Sequence, residues 1–320
     1  MEYIYLLIGF ILLIKASDYF VDVSIAISKK YNIPEIVVGA TIISIGTTLP
    51  ETMVSAVGAI KGHGGISFGN ALGSIICNTA LIGAISIIFS PSKSDNNTFK
   101  RTTLFFTFSF LLYAIFAYLF NGFNRVMGFC LVAIFIIYIF VTIFNAKNSA
   151  QQSNQDEIVK YAEKHIVILF LSLFVLSLVI AFASNLLVDN GIIIAKNFGV
   201  PESVIGITII ALGTSLPEFT TTITSLIKKH SNLSIGNIIG ANFLNIVTVT
   251  GIASILSPFK IPNDKQVFGI NSTLVVDCPV AALVMFIMCF PTILAGKTKR
   301  WQGIVLIIIY TLFIVYQYLQ

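Results

Sequence analysis

The sequence predicts an all-α integral membrane protein, with about ten transmembrane helices in two inverted five-helix repeats and broken helices 2 and 7. Three observations predict it: an apolar composition, a series of stretches of membrane-spanning length, and an internal repeat. The chain has 320 residues, of which 56% are hydrophobic and only 10% are charged. Soluble domains carry about 25% charged residues, so this much apolar surface must face lipid.

About ten apolar stretches follow one another along the chain, each close to the ~20 residues that a spanning helix needs. A polar stretch rich in Gln, Asn, Asp and Glu divides them near the middle. We therefore predict a first repeat over 1–144, a solvated linker over 145–164 and a second repeat over 165–320. The predicted spans are 3–27, 34–60, 66–90, 102–120, 126–144, 165–188, 201–227, 233–256, 278–296 and 302–319.

The basic residues predict the orientation of the chain. Thirteen of the nineteen Lys and Arg lie in loops after odd-numbered spans and five in loops after even-numbered spans. Positively charged loops stay in the cytoplasm. We expect a multi-pass plasma-membrane protein with both termini outside and the linker in the cytoplasm. Because the basic residues are scattered over short loops, membrane lipid is the expected surroundings and nucleic acid is not an expected partner.

The two halves of the chain resemble each other in sequence. Glu51 and Glu218 each end a G-T-[TS]-L-P-E run, and they lie 167 residues apart. The chain therefore contains a duplicated unit. Each unit holds about five helices, so the second copy is inverted in the membrane, as in secondary transporters that bind substrate near the midplane. The same spacing also relates Pro34 to Pro201, Asn70 to Asn237 and Asn78 to Asn245.

Both glutamates lie deep inside apolar runs. A carboxylate at mid-membrane costs about 2.5–3.5 kcal/mol on insertion scales, and this chain carries two at equivalent positions. Pro50 and Pro217 precede them and remove a backbone donor from each helix. We expect the carbonyls around 44–47 and 211–214 to leave the helical hydrogen-bond ladder and to line a cavity or bind a ligand.

The groups in these motifs are oxygen donors, which hard cations prefer. Calcium takes about 6–8 oxygen ligands, and two glutamates supply charge for one divalent ion or two to three monovalent ions. The motifs contain no His, Cys or Lys, which argues against zinc, haem or covalent chemistry. We expect no resident cofactor. Hydroxyls come from Thr47, Thr48, Thr214 and Ser215, and amides from Asn78 and Asn245 in the S-x-G-N-x-x-G-x-x-x-x-N motifs.

Other interpretations of these features exist. The glutamates would be structural if each closed a proline kink with a paired carboxylate, and the two asparagines would be structural if they only joined helices. A passive channel or a scaffold is a second class, which an inverted repeat with one central cluster disfavours. An enzyme is a third, but the motifs hold no nucleophile–base pair or metal triad.

At these motifs the chain resembles the calcium/cation antiporter superfamily, most closely its prokaryotic sodium/calcium exchangers. The resemblance implies a ten-helix fold with four central ion sites, one for calcium and the others for sodium, and access that switches when the first and sixth helices slide. It implies calcium ligands at Thr47, Glu51, Thr214 and Glu218. It implies sodium ligands at the backbone carbonyls of Ser44 and Ala211 and at Thr48, Ser215 and Ser74, with Asn78 and Asn245 at the middle site.

Two positions depart from the family pattern. Ala241 stands where members usually have Ser, so one sodium-coordinating hydroxyl is missing. Asn245 stands where potassium-dependent relatives carry Asp, which argues against potassium co-transport. The leading hypothesis is exchange of sodium for calcium by a monomer, and the alternative is a proton/calcium (or other divalent cation) antiporter.

Overall fold

The computed structural model describes residues 1–92, 96–149, 165–198, 211–261, 266–267 and 270–319, and these residues are almost entirely helical. Among them, nine helices are long and apolar enough to cross a membrane. We number ten helices, one for each predicted span. They are α1 (Glu2–Lys30), α2 (Glu35–Ile60), α3 (Ser67–Phe89), α4 (Asn96–Phe120), α5 (Arg125–Ser149), α6 (Ile166–Asn197), α7 (Ala211–Thr214 and Leu216–Ile227), α8 (Ser231–Leu256), α9 (Thr273–Ala295) and α10 (Arg300–Leu319).

The spans agree with the prediction apart from several ends. α4 begins at Asn96, six residues before its predicted start, and α6 continues to Asn197, nine residues beyond its predicted end. The first part of the seventh predicted span, 201–210, lies outside the described residues, as does most of the predicted linker. The first residues of that linker, 145–149, continue α5 as helix. The ninth span begins at Thr273, five residues before its predicted start, because a π-helical turn precedes the α-helical part.

The packing of the helices reproduces the inverted repeat. The helices α1 and α6, which are equivalent in the two halves, pack along each other. α2 packs against α8 and the described part of α7 packs against α3, while α5 packs against α8 and α10 packs against α3. When the two halves are exchanged, the α2–α8 contact becomes the α7–α3 contact, and the α5–α8 contact becomes the α10–α3 contact. The structure therefore has the pseudo-two-fold arrangement that an odd number of helices in each repeat predicts.

The apolar interior falls into two clusters. The larger one draws on α2–α5 and α8–α10 and is rich in aromatic side chains, with Tyr113 and Phe68 stacked 5.4 Å apart. The smaller one joins α1 to α6 around Phe20, Leu173 and Ile180 and reaches α2. Large apolar side chains also cover the outer faces of several helices, as expected for surfaces in contact with lipid.

Two short antiparallel pairings lie between the helices. β1 (Gly122–Phe123) pairs with β2 (Phe259–Lys260), and β3 (Gln266–Val267) pairs with β4 (Ile270–Asn271). The first pairing ties the α4–α5 connection to the segment after α8. A side chain at position 122 would lie 2.5 Å from a backbone carbonyl of β2, so only glycine fits there.

Wide π turns interrupt several helices. One occupies Gly39–Ile43 at the start of the second span, and two others begin at the matched residues Asn78 and Asn245 in α3 and α8. In α7 the interruption is a break at Ser215.

The expectation that residues 44–47 and 211–214 unwind is wrong, because both stretches are α-helical. The irregularities are the π turn before the first and the break at Ser215 after the second. The carbonyl of Gly46 nevertheless loses its helical donor, because Pro50 has no amide hydrogen.

Side chains from neighbouring helices satisfy carbonyls at these irregular places. Tyr138 of α5 donates to the carbonyl of Ala40 in the π turn of α2, at 2.9 Å. Pro291 removes the amide that would have bonded to the carbonyl of Ile287, and Gln302 of α10 donates to that carbonyl at 2.8 Å instead. Buried backbone groups need such partners, so these two polar side chains fix how the helices dock.

Candidate cation-binding site

The two motif glutamates meet at the centre of the helix bundle. Glu51 lies on α2 and Glu218 on α7, and both side chains are fully buried. Their carboxyl groups are close enough to interact directly. The hydroxyl of Thr48 donates to Oε1 of Glu218 at 3.4 Å, across the boundary between the repeats. The structure thus brings together the two acidic groups that the sequence places 167 residues apart.

The carboxyl groups are short of hydrogen-bond donors. Both side-chain oxygens of Glu51 and Oε2 of Glu218 have no hydrogen-bond partner within the described parts of the chain. Within the described parts of the chain, neither glutamate forms an ion pair with Lys, Arg or His either. Two buried carboxylates that face each other without a basic partner repel, and they need bound cations or protons to neutralise them.

Unpartnered polar atoms concentrate at the predicted site residues. Over the described ranges, 18 buried side-chain nitrogen or oxygen atoms have no hydrogen-bond partner, and nine of them belong to six residues predicted for the site. An unsatisfied buried polar atom costs about 1–3 kcal/mol, so such a concentration calls for a ligand. The six residues are Glu51, Ser74, Asn78, Ser215, Glu218 and Asn245.

The remaining predicted residues take different positions. Thr47 is buried, and its hydroxyl lies 3.4 Å from the carbonyl of Ser44 and 3.2 Å from the amide oxygen of Asn237. The hydroxyl of Ser44 donates to the carbonyl of Thr41 at 3.1 Å and so points along its own helix. Thr214 is partly buried at the end of the first segment of α7. Ala211 opens that segment, and its backbone is in the helix.

Asn78 and Asn245 occupy equivalent irregular positions. Each is fully buried and begins a six-residue π turn, and neither side-chain amide has a partner within the described parts of the chain. π turns are rare and often mark functional sites, because they leave local groups outside the regular hydrogen-bond ladder. The sequence indicates these two asparagines but not the turns that they begin.

Small residues allow α2 and α8 to approach closely beside the glutamates. A Cβ built on Gly39 would lie 2.4 Å from the carbonyl oxygen of Leu233, and one on Gly236 would lie 2.5 Å from that of Ile36. A Cβ on Gly240 would lie 2.6 Å from the hydroxyl of Ser44. This contact is of the kind formed by small residues four apart in membrane helices. It holds the first motif against the helix that carries Asn245.

Asn237 and Asn70 are equivalent residues of the two repeats, and the sequence assigns neither of them a role. Asn237 accepts a hydrogen bond from Thr47 at 3.2 Å and donates to Thr221 of α7 at 3.1 Å. Asn70 donates to the hydroxyl of Ser55 at 2.9 Å. Their equivalence across the repeat was the available signal, but only the structure shows which helices they join.

Ion pairs distinguish the two ends of the molecule. Lys228, at the end of α7, pairs with Asp18 at 2.8 Å and Asp22 at 2.5 Å in α1. The equivalents of Asp22 and Lys228 in the other half, Asp189 and Lys61, are both exposed and form no ion pair within the described residues. At the same end, Nδ1 of His230 and a carboxylate oxygen of Glu35, at the start of α2, lie within hydrogen-bond distance at 2.5 Å. The two ends therefore differ although the sequence repeats.

The donor set defines the class of site. Its charged groups are carboxylates and its neutral groups are hydroxyls and amides, which suit hard cations such as calcium or sodium. Over the described residues, no group of three or more His, Cys, Asp or Glu side chains could hold a metal ion. Together with the inverted-repeat bundle, this defines a membrane transporter with a small polar cluster at its centre.

The family follows from comparison with known proteins. The model of the sodium/calcium exchanger protein family matches residues 1–144 and 168–319. The chain belongs to this family, which consists of membrane transporters, so it is a membrane cation antiporter and not an enzyme.

Relatives match over nearly the whole chain. The chain is 31% identical to an uncharacterised membrane protein, MJ0091, of Methanocaldococcus jannaschii, over 96% of this chain and 94% of that one. It is 28% identical to the sodium/calcium exchanger MaX1 of Methanosarcina acetivorans, over 98% and 97%. It is 32% identical to the putative antiporter CaxA of Alkalimonas amylolytica, over 99% and 97%.

Solved structures show the same fold. The sodium-calcium exchanger NCX_Mj, soaked with 100 mM Na⁺ and 10 mM Sr²⁺, superposes with a TM-score of 0.79 at 30% identity, over 98% of this chain and 97% of that one. The same exchanger soaked with 2.5 mM Na⁺ and 0.1 mM Ca²⁺ gives 0.78. The predicted ten-helix antiporter fold is therefore confirmed.

Proposed function

We propose that this protein exchanges sodium for calcium across the membrane at a single central site built around Glu51 and Glu218. The observation that carries the proposal is the pair of fully buried carboxyl groups, one from each repeat, that face each other with three oxygens lacking a hydrogen-bond partner. One calcium ion neutralises both charges, two sodium ions do the same, and a third sodium ion leaves one net positive charge. Both kinds of ion depend on the same pair of negative charges, so the binding of one opposes the binding of the other and exchange becomes obligatory.

The other predicted residues complete this site. Calcium binds to Glu51 and Glu218 and to oxygens of Thr47 and Thr214. Sodium binds to the backbone carbonyls of Ser44 and Ala211 and to the hydroxyls of Thr48, Ser215 and Ser74, while Asn78 and Asn245 line the middle of the cluster. Support comes from the buried, unpartnered oxygens of Ser74, Ser215, Asn78 and Asn245. It also comes from two similar proteins, MaX1 and NCX_Mj, whose names say that they are sodium/calcium exchangers.

A vesicle assay tests the proposal. Purified protein in proteoliposomes loaded with sodium takes up calcium when the outside holds little sodium. Glu51→Gln and Glu218→Gln abolish this uptake, since each removes one of the two charges that calcium needs. Asp189→Asn is the matched control: it also removes one negative charge, but from an exposed carboxylate, and uptake stays at the wild-type level.

The same assay separates the proposal from proton/calcium exchange. Ala241 is fully buried on α8 and offers no hydroxyl, which reduces the number of oxygens available to sodium. This observation favours the alternative. Calcium uptake that ignores sodium and follows an imposed pH gradient rejects sodium coupling and supports proton/calcium exchange, whereas uptake with neither gradient, without saturation, supports a channel.

The protein acts as a monomer in the plasma membrane, with residues 1–144 and 165–320 as its two repeats and 145–164 as a cytoplasmic linker. Both termini face outside, as the distribution of basic residues in the loops indicates. Labelling of terminal tags from outside intact cells tests the orientation. A tag that reacts only after the cells are opened contradicts it.

A further inference from the structure

We infer that Asn237 is a positioning residue, which turns the hydroxyl of Thr47 so that its lone pairs face the bound cation. This inference rests on the proposed calcium site. It concerns a residue outside the predicted ligand set, and it follows from a chain of hydrogen bonds that joins the two repeats beside the glutamates.

Asn237 lies where α2 and α8 come closest together. Its side chain is almost completely buried. The backbone nitrogen of Asn237 would be 2.9 Å from a Cβ on Gly39, and the neighbouring Gly236 is pressed against Ile36. The side chain therefore has little freedom to move, and its two polar atoms reach partners on two different helices.

The direction of each hydrogen bond is fixed by a backbone carbonyl. The hydroxyl of Thr221 donates to the carbonyl of Pro217 at 2.7 Å, because a carbonyl can only accept. With its proton used, Thr221 accepts from Nδ2 of Asn237 at 3.1 Å. The amide oxygen of Asn237 then faces the hydroxyl of Thr47, 3.2 Å away, and it can only accept. The carbonyl of Ser44 is a second acceptor for the same proton, at 3.4 Å, so Asn237 is the nearer of the two.

The consequence for Thr47 is specific. A hydroxyl binds a cation through its lone pairs, so its proton has to point elsewhere. Without Asn237, the acceptor left for that proton is the carbonyl of Ser44 on the same helix, 3.4 Å from the hydroxyl. Asn237 gives that proton an acceptor away from the cation and adds no charge to the site. It also connects the first motif to α7, which carries the second.

Asn70, the equivalent of Asn237 in the first repeat, does not join two repeats in the described part of the structure. Asn70 donates to the hydroxyl of Ser55 at 2.9 Å and to the backbone carbonyl of Glu51 at 3.3 Å, so both bonds go to the helix of its own repeat. The inference is therefore restricted to Asn237. It assigns different roles to two asparagines that the sequence alone makes equivalent.

Calcium binding by the purified protein tests the inference, together with calcium uptake as a function of calcium concentration. Asn237→Ala is expected to raise the half-saturating calcium concentration about tenfold, the loss typical of one buried hydrogen bond, with little change in maximal rate per folded molecule. Asn242→Ala is the matched control. Asn242 is also buried on α8, but its amide donates to Thr79 and Met285, so calcium affinity stays at the wild-type value.

A double-mutant cycle shows whether Asn237 acts through Thr47. Thr47→Val removes the hydroxyl and keeps the shape of the side chain. If Asn237 works by orienting that hydroxyl, adding Asn237→Ala to Thr47→Val raises the half-saturating concentration no further. Multiplied effects overturn the inference. If Thr47→Val does not fold, Thr47→Ser keeps the hydroxyl, and Asn237→Ala must then cause the same shift as in the wild type.

The outcomes separate this inference from the proposed function. Wild-type protein that binds no calcium overturns both. Wild-type protein that binds calcium without coupling it to sodium overturns the proposed exchange and leaves the positioning role standing. An Asn237→Ala protein that binds calcium as well as the wild type overturns the positioning role alone.

Discussion

Replacing Gly39 by alanine should force α2 and α8 apart at the centre of the molecule. The added Cβ would lie 2.4 Å from the carbonyl oxygen of Leu233 and 2.9 Å from the backbone nitrogen of Asn237. Contacts below 3.0 Å are essentially never seen for a real Cβ. Both neighbours are backbone atoms, so no side chain can turn aside, and the helices must separate by at least about 0.6 Å.

The size of the effect follows from that shift. Overpacking of a well-packed interior costs about 1–3 kcal/mol. The same shift stretches the 3.2 Å contact between Thr47 and Asn237 beyond hydrogen-bond range, and a lost hydrogen bond adds about 1 kcal/mol. We therefore expect a lower melting temperature, by on the order of 1–2 °C for each kcal/mol in a chain of 320 residues, and weaker calcium binding.

Thermal unfolding of purified protein in lipid–detergent micelles measures the first effect, and calcium binding measures the second. Gly9→Ala is the control. Its Cβ would meet the side chain of Leu187 at 3.0 Å, and that side chain can rotate. Gly9→Ala should therefore leave calcium binding intact and lower the melting temperature less. If Gly39→Ala unfolds and binds calcium like Gly9→Ala, the close approach of α2 and α8 does not control the site.

Three further substitutions test the contacts that hold the helices in place. Tyr138→Phe leaves the carbonyl of Ala40 in the π turn without its donor, so the free energy of unfolding should fall by about 1–3 kcal/mol, and an unchanged melting temperature would show that the carbonyl finds another partner. Gln302→Leu removes the cap on the carbonyl that Pro291 frees, and it should destabilise by a similar amount in the same assay, whereas a stabilised variant would count against that capping role. Lys228→Met breaks both ion pairs with α1, and because those side chains are partly exposed the loss should be about 1 kcal/mol or less and should shrink at high salt. A salt-independent loss in Lys228→Met would point to packing by its aliphatic stem instead.

The sequence was sufficient for the architecture because its signals there are strong and repeated. Apolar stretches of spanning length give the helix count, and an odd number in each unit gives the inverted packing. The pairing of Glu51 with Glu218 could also be predicted, since equivalent residues of two inverted repeats meet at the axis between them. All these inferences depend on periodicity and duplication, which the amino-acid order displays directly.

The local backbone was harder to predict. Pro50 suggests a break beside it, but the helix around Pro50 stays α-helical and the wide turn lies upstream at Gly39–Ile43, where no residue type demands it. Which hydrogen-bond pattern a helix adopts near a proline depends on donors from other helices, here Tyr138. The role of Asn237 is hidden for the same reason, since its two bonds cross between helices that lie far apart in the sequence.

The wide turns of α3 and α8 also carry information about the history of the chain. Both span six residues, and both start at the asparagine that the 167-residue spacing relates. Such turns are rare, so two independent origins at one equivalent position are a poor explanation. The ancestral five-helix protein, before its gene was doubled, would already have had this turn. Two copies of it, inverted relative to each other about a two-fold axis, would have contributed one turn each to a shared centre.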